Sequence, residues 1–337
     1  MSDTTVYIST TLDPQLNLAL EESLFRNMQP DSRILLLYRN KPSVIIGRNQ
    51  NPWIECSLKN MNEDKIPFYR RFSGGGTVYH DPGNINYSYM TPRQKFNRST
   101  ATGLMVKSLQ LVGVEAEISP RNDILVDGKK ISGSAYRISG DKAYHHGTLL
   151  VDADLKKLTE YLSSGLSISE AKGTKSVSSF VANITDCNPA ISYEKVYHAT
   201  TSAFTKTKDP DCIILDEKAI QKRVDIFEIV DQLTSLEWLL GKTPNFTIHA
   251  VCRPEKNQLG DIPVELEIVK GKIQAIKFSN NKTTSNTEQM EQTSTLLYGT
   301  FFRTNEISKI LSNTELCLSA YQREFLYSLL TALAEII

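Results

Sequence analysis

The chain has 337 residues, 38 basic and 38 acidic side chains and 40% hydrophobic residues, with a mean hydropathy of -0.28, a composition that suits a globular protein of two or three domains. The even charge balance removes the attraction to phosphate that drives non-specific nucleic-acid binding, and no run reaches the ~18 apolar residues of a membrane helix. Cys56, Cys187, Cys212, Cys252 and Cys317 are odd in number and form no CxxC pair, so neither a disulfide framework nor a zinc site is indicated.

The N-terminus, MSDTTVYIST, has no basic region ahead of an apolar stretch. With unpaired cysteines this points to the cytoplasm, although an organellar protein whose presequence had been removed would read the same way. VYIST reads as a strand. Asp13 and Pro14 then supply an N-cap and a first-turn proline to a helix with Leu16, Ala19, Leu20 and Leu24 on one face. RILLLY (33–38) and SVIIGR (43–48), broken by Lys41–Pro42, read as adjacent buried strands. A helix is predicted over 101–113. In 123–137, DILV meets the type I′ dipeptide Asp127–Gly128 and KKISGSAYRI returns. Gly140–Asp141 turns the chain into a third strand, AYHHGTLLV. Helices are predicted at 153–163, 190–206 and 217–234, and LLGKTPNF (239–246) reads as a linker. Beyond it IPVELEIVKGKIQAIKFS is a hairpin about Lys270–Gly271. A capping box, Ser285 with Glu288, opens a helix. The last helix carries Phe325, Leu326, Leu329, Leu330, Leu333 and Ile337 as a core-facing stripe. Strands and helices mix without a βαβ rhythm, so the fold class is α+β with mixed, mainly antiparallel sheets. A large domain of residues 1–246 precedes a small α+β domain of residues 247–337.

Three stretches could carry chemistry. In Arg70-Arg71-Phe72-Ser73-Gly74-Gly75-Gly76-Thr77-Val78-Tyr79-His80-Asp81, consecutive glycines let backbone amides approach an anion, and an arginine can add bidentate hydrogen bonds. Neither the P-loop nor the dinucleotide fingerprint is present, and a plain flexible turn has the same composition. Lys130 opens a strand of small residues, Ser132 to Ala135, that leaves room for a ligand. A lysine there can neutralise a carboxylate or phosphate, yet lysines after hairpin turns are commonly solvated. His145 and His146 share a strand and point to opposite faces, so they cannot bind one metal together. No cysteine lies between Cys56 and Cys187, which removes thioester catalysis from this region.

RRFSGGGTVYHDPGNINYSYM, NPWIEC (51–56), RNDILVDGKKISGSAYR (121–137), HHGTLLVDADL (145–155) and EWLLGKTPNF (237–246) closely resemble the lipoate–protein ligase A family, in order and in spacing. The resemblance implies a biotin/lipoyl ligase-like large domain and a two-step reaction. Lipoate and ATP, with Mg²⁺ in the substrate complex and no prosthetic group, give lipoyl-AMP. The lipoyl group then passes to a lysine of lipoyl domains of 2-oxoacid dehydrogenase E2 subunits or of the glycine-cleavage H protein. It further implies that Arg71, Ser73, Gly75, Gly76, Thr77, Val78, Tyr79, Asn122 and Asp123 bind the nucleotide, with Asp123 assisting Mg²⁺. Lys130 is the catalytic residue, contacting lipoyl carbonyl and phosphate. Lys130, Arg71, Leu18 and His146 bind lipoate, and Leu18, Val44 and Ile46 are expected to line an apolar tunnel. The family resemblance also implies a monomer, while the even charge and the lack of a long apolar run argue against nucleic-acid and membrane partners. Residues 172–179, KGTKSVSS, resemble the family's adenylate-closing loop. The alternative is a lipoyltransferase that uses preformed lipoyl-AMP. An octanoyltransferase is disfavoured by the missing cysteine, a biotin ligase by its different nucleotide loop, and a binding-only protein by the presence of Arg71 and Lys130.

Overall fold

The structure, a computed structural model, describes residues 4–163, 170–171, 176, 180–253, 261–278, 285–314 and 318–334. The strands are β1 (Thr4–Ser9), β2 (Arg33–Tyr38), β3 (Ser43–Ile46), β4 (Phe68–Arg70), β5 (Val78–His80), β6 (Asn84–Pro92), β7 (Glu117–Ile118), β8 (Ile124–Val126), β9 (Lys129–Lys130), β10 (Ser132–Ser139), β11 (Lys142–Leu150), β12 (Glu170–Ala171), β13 (Ile213–Leu215), β14 (Phe246–Cys252), β15 (Ile262–Val269) and β16 (Lys272–Phe278). The helices are α1 (Pro14–Arg26), α2 (Pro52–Glu55), α3 (Leu58–Glu63), α4 (Arg98–Leu111), α5 (Leu155–Tyr161), α6 (Ile184–Cys187), α7 (Tyr193–Thr205), α8 (Glu217–Gln221), α9 (Ile226–Thr234), α10 (Leu236–Leu239), α11 (Ser285–Thr295), α12 (Thr304–Thr314) and α13 (Ala320–Ala334). Among the described residues, no helix is long and apolar enough to cross a membrane.

The chain divides into two compact units. The first comprises Met1–Arg48, Ile66–Leu162 and Lys175–Ser235, and the second Asn49–Lys65, Ser163–Thr174 and Leu236–Ile337. The division after Ser235 precedes the linker read at 239–246, so the second unit takes residues 236–246 as well as two earlier segments, Asn49–Lys65 and Ser163–Thr174, from within residues 1–246.

The first unit is built on a sheet of order β10-β11-β6-β2-β1-β13. The pairs from β10 to β2 are antiparallel, and β2–β1 and β1–β13 are parallel. Leu35, Leu37, Tyr87, Tyr89 and Leu149 on one face join Ala101, Met105 and Leu109 of α4 and Val196 and Phe204 of α7 in the core. The period of two turns their neighbours Leu36, Ser88 and His146 to the other face, where α1 packs through Glu21 against His146. Asp13 caps α1 as expected, accepting from the amides of Gln15 and Leu16, with Pro14 in the first turn.

Three sequence expectations are corrected. β2 and β3 are both buried, but they lie in different sheets: β6 takes the place beside β2, while β3 sits between β4 and β5. The turn at Asp127 (φ 49) and Gly128 (φ 71) is left-handed at both positions, yet the returning strand is two. Lys129–Lys130 stays with β8, and from Ser132 the chain joins β11. The helix expected over 217–234 breaks between α8 and α9. There Arg223 donates to Ser23 Oγ at 2.9 Å, and Asp225 accepts from Ser23 Oγ and Asn27 Nδ2 at 2.7 and 2.8 Å. These bonds to α1 override the local helical preference.

The second unit holds an antiparallel sheet, β12-β14-β15-β16, with the expected hairpin at Lys270 (φ 50) and Gly271 (φ 72). Phe325, Leu326, Leu329 and Leu333 of α13 are buried, and Leu330 is partly so. Trp53 of α2 packs on Phe246 and Phe302, with ring centroids 5.0 and 5.5 Å away. The side chain of Ser285, Ile337 and Cys317 lie outside the described residues, and the other four cysteines are free thiols.

Candidate active site

The glycine-rich loop connects β4 to β5 across the end of β3. Both arginines ahead of it are buried and face backbone carbonyls. Arg70 Nη1 donates to Gly47 and Arg48 at 3.1 and 3.0 Å. Arg71 donates from Nη1 to Ile45 O (3.0 Å), from Nη2 to Gly74 O (2.7 Å) and Gly76 O (2.6 Å), and from Nε to Ser73 Oγ (3.0 Å) and Gly74 O (3.1 Å). Burial pulls the guanidinium down to about 10, partly offset by Tyr144 and Glu21, so it remains charged at neutral pH. Arg71 therefore clamps the loop from within. With the carbonyls turned onto the arginine, the amides of Gly74, Gly75 and Gly76 find no acceptor among the described residues. That leaves a row of donors for an anion. Gly75 has φ +85, and a β-carbon there would stand 2.8 Å from Ala135 Cβ. Thr77 N donates to Ser176 Oγ at 3.0 Å. Ser176 is the one described residue of the 172–179 stretch, whose other residues, 172–175 and 177–179, lie outside the described residues. Val78 pairs with Ile45 of β3, and the Tyr79 ring packs on Tyr161 at 5.5 Å.

The base of the loop rests on β11. Ser73 Oγ lies 2.7 Å from His146 Nε2, and His146 Nδ1 lies 2.9 and 3.1 Å from the Glu21 carboxylate oxygens. Both ring nitrogens are thus engaged by the protein. His145 points the opposite way, as its place in a strand demands, with Nδ1 3.0 Å from Arg98 O.

β10 carries the second half of the site beneath the loop. Gly75 abuts Ala135, and a β-carbon on Gly133 would meet Val78 Cγ1 at 3.3 Å. Three residues before Gly133, the backbone of Lys130 is fixed by Phe180 O and by the amide of Ala182. Its Nζ lies 2.8 Å from Asp123 Oδ1, both side chains being about one-fifth exposed (22% and 23%). Asn122 is left-handed (φ 68), and its amide donates to Thr102 Oγ1 at 2.8 Å and to Arg98 O at 3.3 Å. The side chain of Asn122 is therefore engaged with α4, whereas Asp123 is paired with Lys130. Leu18, Val44 and Ile46 are all buried. Leu18 is one turn before Glu21 on the same face of α1.

The stretch after the loop is structural. Asp81 accepts from the amides of Gly83 (2.8 Å) and Asp154 (2.7 Å), and burial pushes its carboxyl up. His80 Nδ1 meets Asn40 Nδ2 at 2.9 Å, and burial lowers the imidazole to about 3. Sequence reasoning missed Glu21 and Glu22, both buried. Glu22 accepts from Arg26 Nε at 2.7 Å and from Arg137, and both arginines lie over the Phe72 ring. The available signal was an acidic pair inside the apolar stripe LALEESLF.

The model of the lipoyl protein ligase A/B catalytic domain matches residues 13–205. A lipoate-protein ligase A of Psychrobacter cryohalolentis is 39% identical over 252 residues, 73% of this chain and 74% of the relative. One of Bdellovibrio bacteriovorus is 37% identical over 278 residues, 81% of each. Among solved structures, P. falciparum LipL1 in complex with lipoate superposes with a TM-score of 0.65 at 27% identity, covering 97% of this chain and 98% of that one. A lipoate-protein ligase A bound with ATP gives 0.58 at 29% identity, covering 71% and 98%. Matched over more than half its length by the family's catalytic domain, and spanned for most of its length by relatives well above 30% identity, the chain belongs to the lipoate–protein ligase family, ligases that form a carbon–nitrogen bond.

Proposed function

We propose that this protein activates lipoate with ATP and transfers the lipoyl group to a lysine of lipoyl domains of 2-oxoacid dehydrogenase complexes and of the glycine-cleavage H protein. In the first step a lipoate carboxylate oxygen attacks the α-phosphorus of ATP and pyrophosphate leaves. In the second the acceptor amine attacks the acyl carbon, and AMP leaves. Substrate groups do the attacking, so the protein has to position them and neutralise developing charge. The observation that carries this reading is the row of unspent amides at Gly74–Gly76 beside β10, the strand that begins two residues after Lys130. The amides suit the phosphates, and the Lys130 ammonium suits the α-phosphate and acyl oxygens. Mg²⁺ arrives on the triphosphate and requires one or two carboxylates from a protein. Asp123, beside Lys130, fits that requirement. The lipoate-bound and ATP-bound relatives support the same pair of substrates, and a Thermoplasma acidophilum ligase described with its E2 lipoyl domain supports the acceptor class.

The test is pyrophosphate release from ATP and Mg²⁺ with no acceptor present. Release is expected only when lipoate is added, and Lys130→Ala is expected to abolish it without shifting thermal unfolding, because a part-exposed ion pair contributes only about 0–1 kcal/mol. Asp123→Asn is expected to raise the Mg²⁺ concentration needed for half-maximal release. No release, with transfer from synthetic lipoyl-AMP retained, would make the protein a lipoyltransferase. Loss of both activities would overturn the assignment.

A further inference from the structure

Strand β10 is the edge of the six-stranded sheet, and among the described residues no strand pairs with its outer side. Its two faces differ. Ala135 abuts Gly75 on the face of the candidate site, and Arg137 on the same face reaches Glu22 of α1. The period of two turns Tyr136 and Ile138 to the opposite face, beside the start of α4. There Tyr136 is 39% and Ile138 44% exposed, and neither joins the core that α4 makes with the sheet. Tyr136 is nevertheless held. The Arg98 guanidinium lies 3.9 Å over its ring, Arg98 Nη2 donates to its hydroxyl, and the half-buried Phe96 ring packs on it with centroids 5.9 Å apart. Arg98 is fixed in turn through its backbone carbonyl, which accepts from Asn122 Nδ2 at 3.3 Å and lies 3.0 Å from His145 Nδ1.

An ordered aromatic and arginine cluster open to solvent has the make-up of an interface centre. Side chains already held in place also lose little freedom when a partner covers them. The rim of the cluster is basic. The segment 93–98, RQKFNR, holds Arg93, Lys95 and Arg98 and no acidic residue. Lys95 comes no closer than 3.9 Å to Asp31, while among the described residues Arg93 meets a carbonyl and Arg98 a hydroxyl, and neither meets a carboxylate. In a chain of zero net charge this is a local excess of positive charge, and it is complementary to an acidic face. The cluster also has a defined place relative to the chemistry, because β10 begins two residues after Lys130. In the proposed transfer the acceptor lysine has to meet the acyl carbon beside the Lys130 ammonium. A lysine side chain is short against a folded domain, so the acceptor must rest on the surface next to Lys130. A domain lying against the β10 edge covers the Tyr136 face while its lysine reaches the other.

We infer that Phe96, Arg98, Tyr136 and Ile138, rimmed by Arg93 and Lys95, form the docking surface for the acceptor domain, which turns acidic side chains toward it. The inference rests on the proposed transfer reaction and concerns its second step alone, so formation of lipoyl-AMP is expected to be indifferent to this surface.

The test uses the whole protein with an E2 lipoyl domain as acceptor and synthetic lipoyl-AMP as donor, alongside pyrophosphate release with no acceptor present. Tyr136→Ala and Arg98→Glu are each expected to raise KM for the lipoyl domain about tenfold, the scale on which loss of a central interface residue is felt. Lipoate-dependent pyrophosphate release should stay near that of the unsubstituted protein. KM for the lipoyl domain should rise with salt in the unsubstituted protein, and this dependence should shrink in Arg98→Glu. Lys95→Glu and Ile138→Glu alter exposed side chains and are expected to raise the same KM, which covers the case of a Tyr136 or Arg98 variant that fails to fold. An unchanged KM in the folded variants, a KM indifferent to salt, or pyrophosphate release lost in step with transfer would each overturn the inference. Absence of transfer by the unsubstituted protein would instead sink the assigned reaction.

Discussion

At Gly75 a β-carbon would stand 2.8 Å from Ala135 Cβ and 3.0 Å from Arg71 Nη2, on a backbone at φ +85, whereas at Gly74 nothing lies within 4 Å. Two neighbours in one motif therefore have opposite tolerances. Gly75→Ala is expected to cost about 1–3 kcal/mol through strain and to disturb the arginine clamp, raising KM for ATP. Gly74→Ala should leave both stability and KM near their starting values. Measuring the two side by side separates the geometry of the loop from mere flexibility, since a loop that only needed to be flexible would suffer from both substitutions. The same residue scale shows what a sequence conceals. Arg71 was legible as a cation beside a glycine run, but its partners are the loop's own carbonyls. Glu21 showed in the sequence only as half of an acidic pair inside an apolar stripe, because its partner His146 lies 125 positions away and no local pattern encodes such a contact.

Elements whose signals are local came through. The Asp13 cap, the type I′ turn at Asp127–Gly128 and the Lys270–Gly271 hairpin each depend on the conformational preference of one or two residues. Pairing between distant strands was less legible: the apolar pattern of β2 and β3 reported burial correctly and said nothing of which sheet each would join. The break between α8 and α9 has the same origin, since Asp225 is held by Ser23 and Asn27 from about two hundred positions away. Helix α2 gives the energetic counterpart in the second unit. It is a four-residue element, too short to be stable alone, and it is held by Trp53 packed on Phe246 and Phe302. Trp53→Ala is expected to destabilise this unit by about 3–5 kcal/mol. Faster amide exchange in β14, β15 and β16 would show it, and unchanged exchange there would mean that the aromatic cluster is incidental to the unit's stability.

Across the whole molecule the acidic and basic side chains balance, so response to acid is governed by particular buried groups more than by net repulsion. Of the five histidines, four belong to the first unit and His249 to the second. Burial holds His80 at about 3 and His145 at about 4. In the unfolded chain each would take up its proton near pH 6.5. Between that value and the folded one the unfolded state binds the extra proton and the native state does not, so stability falls as the pH falls, by about 1.4 kcal/mol per unit for each histidine. Asp81, raised by burial, acts in the opposite sense and removes part of this slope in the region where carboxylates titrate. His249 is exposed and has no comparable burial to lose. Acidification from pH 6.5 toward 4.5 is therefore expected to weaken amide protection in β5, β6 and β11 well before it does so in β14 to β16. His145→Asn, whose amide can donate to Arg98 O from the place of Nδ1 and cannot take up a proton, should reduce the slope in the first unit to the part due to His80 and leave the second unchanged. Parallel loss of protection in both units, or an unchanged slope in the variant, would assign the acid response to groups other than these histidines.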